Sequence, residues 1–101
     1  MPWTDVTLQS LEHAMAVCQA IDAPTTERLR QFRAQQNQGF QSARNVHVYF
    51  GDLGPFEARP LIAAAYAHQF GVAPLSPRDF MGTDAQHFLE RMGFQLVQIE
   101  P

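Results

Sequence analysis

The chain has no lysine; all seven of its basic residues are arginines. It has a single cysteine, Cys18, which excludes a disulfide framework and a cysteine-rich zinc site. No apolar run approaches the ~20 residues that a membrane-spanning helix needs. No basic region followed by an apolar one opens the chain, so no secretory leader is expected. His13, His47, His68 and His87 form no H-x-x-x-H or H-E-x-x-H spacing that would put two metal ligands on one helical face. The six glycines fit no phosphate-binding loop; Gly51-x-x-Gly54 alone is weak. Ser10, Ser42 and Ser76 lack a nucleophile-elbow setting. These absences lead to the expectation of a soluble cytoplasmic protein with no catalytic residues, no metal, no cofactor and no membrane partner.

What is present is enough for one folded domain, residues 1–101. The apolar content of 46% excludes a disordered chain, and the length allows a modest core. The net charge of −3 is unevenly spread. Residues 1 to 27 carry four acids and no base, whereas residues 28 to 51 carry Arg28, Arg30, Arg33 and Arg44 with no acid before Asp52. Residues 52 to 101 are acidic again, with six acids against three arginines. A basic island inside an acidic chain says more about partners than the total does.

The periodicity predicts a mostly helical α+β fold. Leu8, Leu11, Met15 and Cys18 mark an amphipathic helix over residues 5 to 22, with Thr4 or Asp5 as its cap. A second helix is expected over 25 to 36, capped by Thr25, with Leu29 and Phe32 as a narrow apolar edge. Val46 to Phe50 is a strand candidate, and Gly51 to Pro55 is a turn that closes a hairpin near Phe56. Pro60 suits the first position of a helix running from Leu61 to Phe70 and ending at Gly71. That helix is apolar nearly all round and should be the most buried element. Ser76-Pro77-Arg78-Asp79 predicts a short helical turn ended by Gly82, and Thr83-Asp84-Ala85-Gln86 reads as the capping box of a last helix. Gly93 is its expected left-handed stop, with Gly82 also expected at positive φ. Residues 94 to 99 should form a terminal strand, antiparallel to 46 to 50.

The functional candidates are few. Cys18 lies on an apolar helical stripe with no basic sequence neighbour, so it reads as core and not as a nucleophile. His47 and His68 could meet Asp52 or Glu57 in space, which leaves a small hydrolase-like enzyme as a third reading. The basic island is the better lead: Arg28, Arg30, Arg33 and Arg44 suit a line of phosphates, and Gln35, Gln36, Asn37, Gln38 and Gln41 add donors. Against it stands the plain alternative of a solvated helix face. Arg59, just before a helix start, suits an anion, or else pairs with Glu57 or Asp52.

The second half also carries an ordered set of motifs: Val48-Tyr49-Phe50, Glu57-Ala58-Arg59, Ile62-Ala63-Ala64-Ala65, Leu75-Ser76-Pro77-Arg78-Asp79-Phe80-Met81-Gly82 and Phe88-Leu89-Glu90-Arg91-Met92-Gly93-Phe94. In this order they resemble the N-terminal DNA-binding head domain of McrA-type, modification-dependent HNH restriction endonucleases. The resemblance covers residues 46 to 97 and the first two helices in outline. Arg59 replaces a family-like lysine, and Thr83 a second glycine. No HNH motif follows within these residues, so the resemblance implies binding and not cleavage. It implies a bacterial restriction-related module that takes double-stranded DNA, with methylated DNA as its ligand. Tyr49 and Arg78, which lie in the matching motifs, join Arg28, Arg30, Arg33, Arg44 and Arg59 as the candidate DNA-binding set.

Two other partners stay open: a protein of a defence or mobile-element system, and a second copy of the chain in a homodimer. Convergence of the 28–44 arginines with Arg59 and Arg78 on one face would favour DNA. Acids interspersed among them would favour a protein.

Overall fold

The computed structural model describes residues 2–99. Among them are four α-helices and a three-stranded antiparallel sheet, an α+β arrangement that is about half helical. A 3-10 turn at Trp3–Asp5 precedes α1 (Leu8–Gln19) and α2 (Thr25–Gln36). The hairpin β1 (Val46–Phe50) and β2 (Leu53–Phe56) leads into α3 (Ala58–Phe70), α4 (Gly82–Arg91) and β3 (Gln95–Gln98).

The first helix starts later than its sequence suggests. Thr4 and Asp5 are taken up by the 3-10 turn, and Thr7 is the cap, its Oγ1 accepting from the Ser10 N–H at 3.2 Å. A long-range contact fixes this choice. The Thr7 N–H donates to Gln69 Oε1 on α3, and Gln69 Nε2 donates back to the Asp5 carbonyl. The turn also places Trp3 against Phe80 and Phe88, with ring centroids 5.2 and 5.3 Å away. α2 matches its expected limits, but Thr25 does not cap it: Pro24 holds the cap position, without a side-chain bond.

α3 is the most buried element, as its all-round apolar surface predicted. Leu61, Ile62, Ala63 and Ala65 are fully inaccessible, and His68 is its one exposed residue. It packs chiefly on α1 and then on α4. The helix begins at Ala58, two residues before the expected Pro60. Pro60 still lies in the first turn, where an N–H would have no intrahelical acceptor.

Two further expectations are corrected at α4. Residues 76–79 form a turn and not a helix: Asp79 Oδ2 accepts from the Ser76 N–H at 2.7 Å and from its hydroxyl at 3.1 Å. Gly82 ends nothing. It is the first residue of α4, its φ is not positive, and no capping box forms at Thr83. At the other end of α4 the expectation holds. Gly93 has φ 102°, its N–H donates to the Glu90 carbonyl, and the Phe94 N–H donates to the Leu89 carbonyl. This pair of bonds is the Schellman motif, and the buried Phe94 packs 4.9 Å from Phe50 across it.

The sheet order is β2-β1-β3, with Val48 opposite both Phe56 and Leu96. Val48 and Phe56 turn into the core. By the two-residue alternation of a strand, His47 and Tyr49 take the other face. Tyr49 lies so close over β2 that a Cβ on Gly54 would sit 2.6 Å from its ring.

Candidate nucleic-acid interface

The geometry of the site is organised around Glu57. This residue ends the hairpin and stands at the N-cap of α3, but its side chain does not cap the helix. The carboxylate is instead turned inward and only 5% exposed. One oxygen accepts from Arg33 Nη1 at 2.6 Å, and the other accepts from the Ala43 N–H at 2.7 Å. A buried carboxylate needs such partners, because desolvation without them costs several kcal/mol. Glu57 thereby ties α2, the segment before β1 and the start of α3 into one unit.

A groove of about 370 Å³ opens beside this unit. It is lined by residues 41–46, by Glu57, Ala58, Arg59 and Pro60 at the start of α3, and by Gly82 and Gln86 at the start of α4. Two helix N-termini therefore meet at one concavity, and neither has a side-chain cap. Uncapped first-turn N–H groups and the helix dipole both favour an anion there. Arg44 and Arg59 supply the formal positive charge. Arg59 is steadied by a bond from Nη1 to the Pro77 carbonyl at 3.3 Å, and its guanidinium stands 5.7 Å from the Phe40 ring centre. Neither Glu57 nor Asp52 pairs with it.

The seven candidate residues divide into three groups. Arg44 and Arg59 face the groove, and Arg78 is exposed one residue beyond the carbonyl that Arg59 holds. Arg28 is structural: it donates to the Ile21 and Ala23 carbonyls and to Gln19 Oε1, closing the α1–α2 junction. Arg33 is consumed by Glu57. Arg30 is exposed but pairs with Glu27 one turn earlier, which holds the Glu27 carboxyl at a pKa of about 2. Tyr49 does not line the groove. The basic island is thus broken up by two acids, Glu27 and Glu57, and its charge is carried to the surface mainly by residues outside α2.

A second concavity, about 270 Å³, lies on the other side of Ser42 and Ala43. Arg30, Arg33, His47 and Glu57 line it. His68 is elsewhere, its ring stacked on His13 of α1 with centroids 3.6 Å apart. Of the convergence of His47 and His68 with Asp52 or Glu57 that the sequence left open, the fold brings His47 and Glu57 to one concavity and keeps His68 apart. Cys18 is fully buried, and burial pushes its thiol up to about 11, with Arg28 nearby acting in the opposite sense. Among the described residues no cluster of three or more His, Cys, Asp or Glu could hold a metal ion, and no helix is long and apolar enough to cross a membrane.

What sequence reasoning missed is the hub. Glu57 was read as a partner for Arg59, because the two are close in sequence. Its real partners lie 24 and 14 residues away. The signal that could have found it is the absence of any acid between residues 28 and 51, which leaves Arg33 to seek a distant carboxylate.

An α+β head built on a three-stranded sheet, with a cationic groove at two helix starts, is the class of domain these features define. The chain belongs to the ScoMcrA-like N-terminal head domain family, which it matches over residues 4–98. Membership suggests a role in restriction-related DNA recognition. No curated protein and no solved structure matches the chain.

Proposed function

We propose that this domain is a non-enzymatic DNA-binding module of a restriction system and that methylated duplex DNA is the form it takes. The observation that carries this reading is the groove at the starts of α3 and α4, where Arg44 and Arg59 join two uncapped helix N-termini. Phosphate oxygens suit such a site, since arginine forks and free backbone N–H groups both donate to them. The net charge of −3 keeps the rest of the surface from binding polyanions without orientation.

The test is binding of methylated and unmodified duplexes across a salt series. Affinity should fall linearly with salt on a log–log plot, and Arg59→Ala should flatten the slope by about 0.9 for one lost phosphate contact. Methylated duplex should bind more tightly than plain duplex. Wild-type protein that binds no duplex at low salt overturns the reading. A protein partner is the second reading, supported by the acids Glu27 and Glu57 that stand among the 28–44 arginines and by an open groove of about 490 Å³ between Trp3, Tyr66 and the exposed Val72.

A further inference from the structure

Residues 41–45 stand as a ridge between two concavities. The larger groove lies on one side and the 270 Å³ concavity on the other, and Ser42, Ala43 and Glu57 line both. The ridge has no helix or strand of its own, yet it is pinned along its length. Phe40 is buried just before it, against Phe80 and beneath the Arg59 guanidinium. The Ala43 N–H is held by buried Glu57. The Asn45 carbonyl accepts from the Ile99 N–H at 2.8 Å. Between these anchors Gln41, Ser42, Arg44 and Asn45 are exposed, and Arg44 Nη2 reaches Gln41 Oε1 at 3.3 Å.

Backbone anchors with outward amide and guanidinium groups make a preorganised loop, and preorganisation lowers the entropy lost on binding. Those side-chain types match the major-groove edges of bases: arginine with guanine O6 and N7, asparagine and glutamine with adenine N6 and N7. The flanking concavities each have an arginine beside the ridge, Arg59 on one side and Arg30 on the other, and Glu57, paired with Arg33, lines both. An arginine on each side of a polar ridge suits a groove edged by two phosphate strands.

We infer that the 41–45 ridge enters the major groove and reads base edges through Gln41 and Asn45, while the concavities on its two sides, with Arg44 and Arg59 in the larger, receive the two backbones. This inference rests on the duplex-binding reading and adds which element gives selectivity. It also assigns Arg30 a role on the second strand, since an exposed ion pair with Glu27 is weak and readily exchanged for phosphate.

The experiment uses fluorescence anisotropy on a panel of duplexes that differ in sequence and methylation. The best binder is then remade with 7-deazapurines, which remove the major-groove N7, or with inosine for guanine, which removes the minor-groove amino group. The 7-deaza duplex should bind roughly 5- to 150-fold more weakly, the discrimination of a bidentate base contact, and the inosine duplex should bind as before. Gln41→Ala and Asn45→Ala should flatten the panel but keep the salt slope and the melting curve. Arg59→Ala should do the reverse, lowering all members together. A panel flat for the wild type, a loss confined to inosine, or Gln41→Ala and Asn45→Ala profiles matching the wild type each overturn the ridge while duplex binding stands. Absence of wild-type binding to every duplex overturns both.

Discussion

Arg33 and Glu57 form a 2.6 Å ion pair between side chains that are 16% and 5% exposed, and the same carboxylate holds the Ala43 N–H. Removing the cation leaves a buried charge with a single donor. Arg33→Ala should therefore destabilise by about 3–5 kcal/mol, the range for breaking one side of a buried pair. Denaturant unfolding measures the loss. Hydrogen exchange at the Ala43 amide should speed up in folded Arg33→Lys protein, because the carboxylate is no longer aimed by a planar fork.

Arg28 belongs to the charge cluster in sequence but not in function. Its three bonds close the α1–α2 junction, so Arg28→Ala should lower stability by about 1–3 kcal/mol. The salt slope of DNA binding should stay at the wild-type value. A flatter slope in this variant would show that Arg28 meets phosphate after all.

Gly82 and Gly93 should respond to alanine in opposite ways. Gly93 is held at φ 102°, so Gly93→Ala should cost about 1–3 kcal/mol. Gly82 has helical backbone, and an added Cβ meets only Arg59 Nε at 3.9 Å. Gly82→Ala should stabilise by about 0.4–1 kcal/mol through the unfolded chain. Thermal melts of the two variants give both signs.

Within α3, Ala63 and Ala65 are fully enclosed while Ala64 is half-buried. Ala63→Leu should overpack and cost about 1–3 kcal/mol, and Ala64→Leu should cost less. Equal melting losses at both positions would mean that the half-buried side of α3 is as tightly packed as the enclosed one.

Cys18 should be unreactive in the folded protein. The thiol is fully buried, and burial also raises its pKa from 9.0 to about 11, so a thiol reagent should label it only as fast as the chain unfolds. The raised value also sets a pH window. The stability tied to the neutral thiol is complete below the ordinary value of 9.0 and is lost as pH rises towards about 11. Cys18→Ser should flatten the loss of stability across that window.

Local signals explain what the sequence made legible. The limits of α2, the hairpin, the Gly93 stop and the burial of α3 depend on residues within a few positions of one another, and their periodicity and turn chemistry are plain. The last strand was also legible, because Phe94 to Ile99 had one obvious partner in β1. Gly82 was misread because a glycine after Phe80-Met81 looks like a stop; Asp79 had already closed that turn on Ser76. Thr7 was passed over as a cap because Gln69, 62 residues away, decides the register of the helix start. The candidate site was half legible. Arg44 and Arg59 could be named, but which arginines were free depended on Glu57, whose partners only the fold brings together.

The register that sets Val46 opposite Gln98 also governs when the ridge comes into being. β1 and β2 are joined by a tight turn and can pair early, but β3 must return from the far side of two helices, a closure with a larger entropic cost. Asn45 receives its bond from Ile99 only once that closure is complete. The outward side chains of 41–45 are therefore held by a contact that joins Asn45 to Ile99 across the chain as well as by their neighbours. A chain in which β3 has not yet docked keeps its arginines but lacks this anchor, so the shape of 41–45 depends on the closure of the sheet.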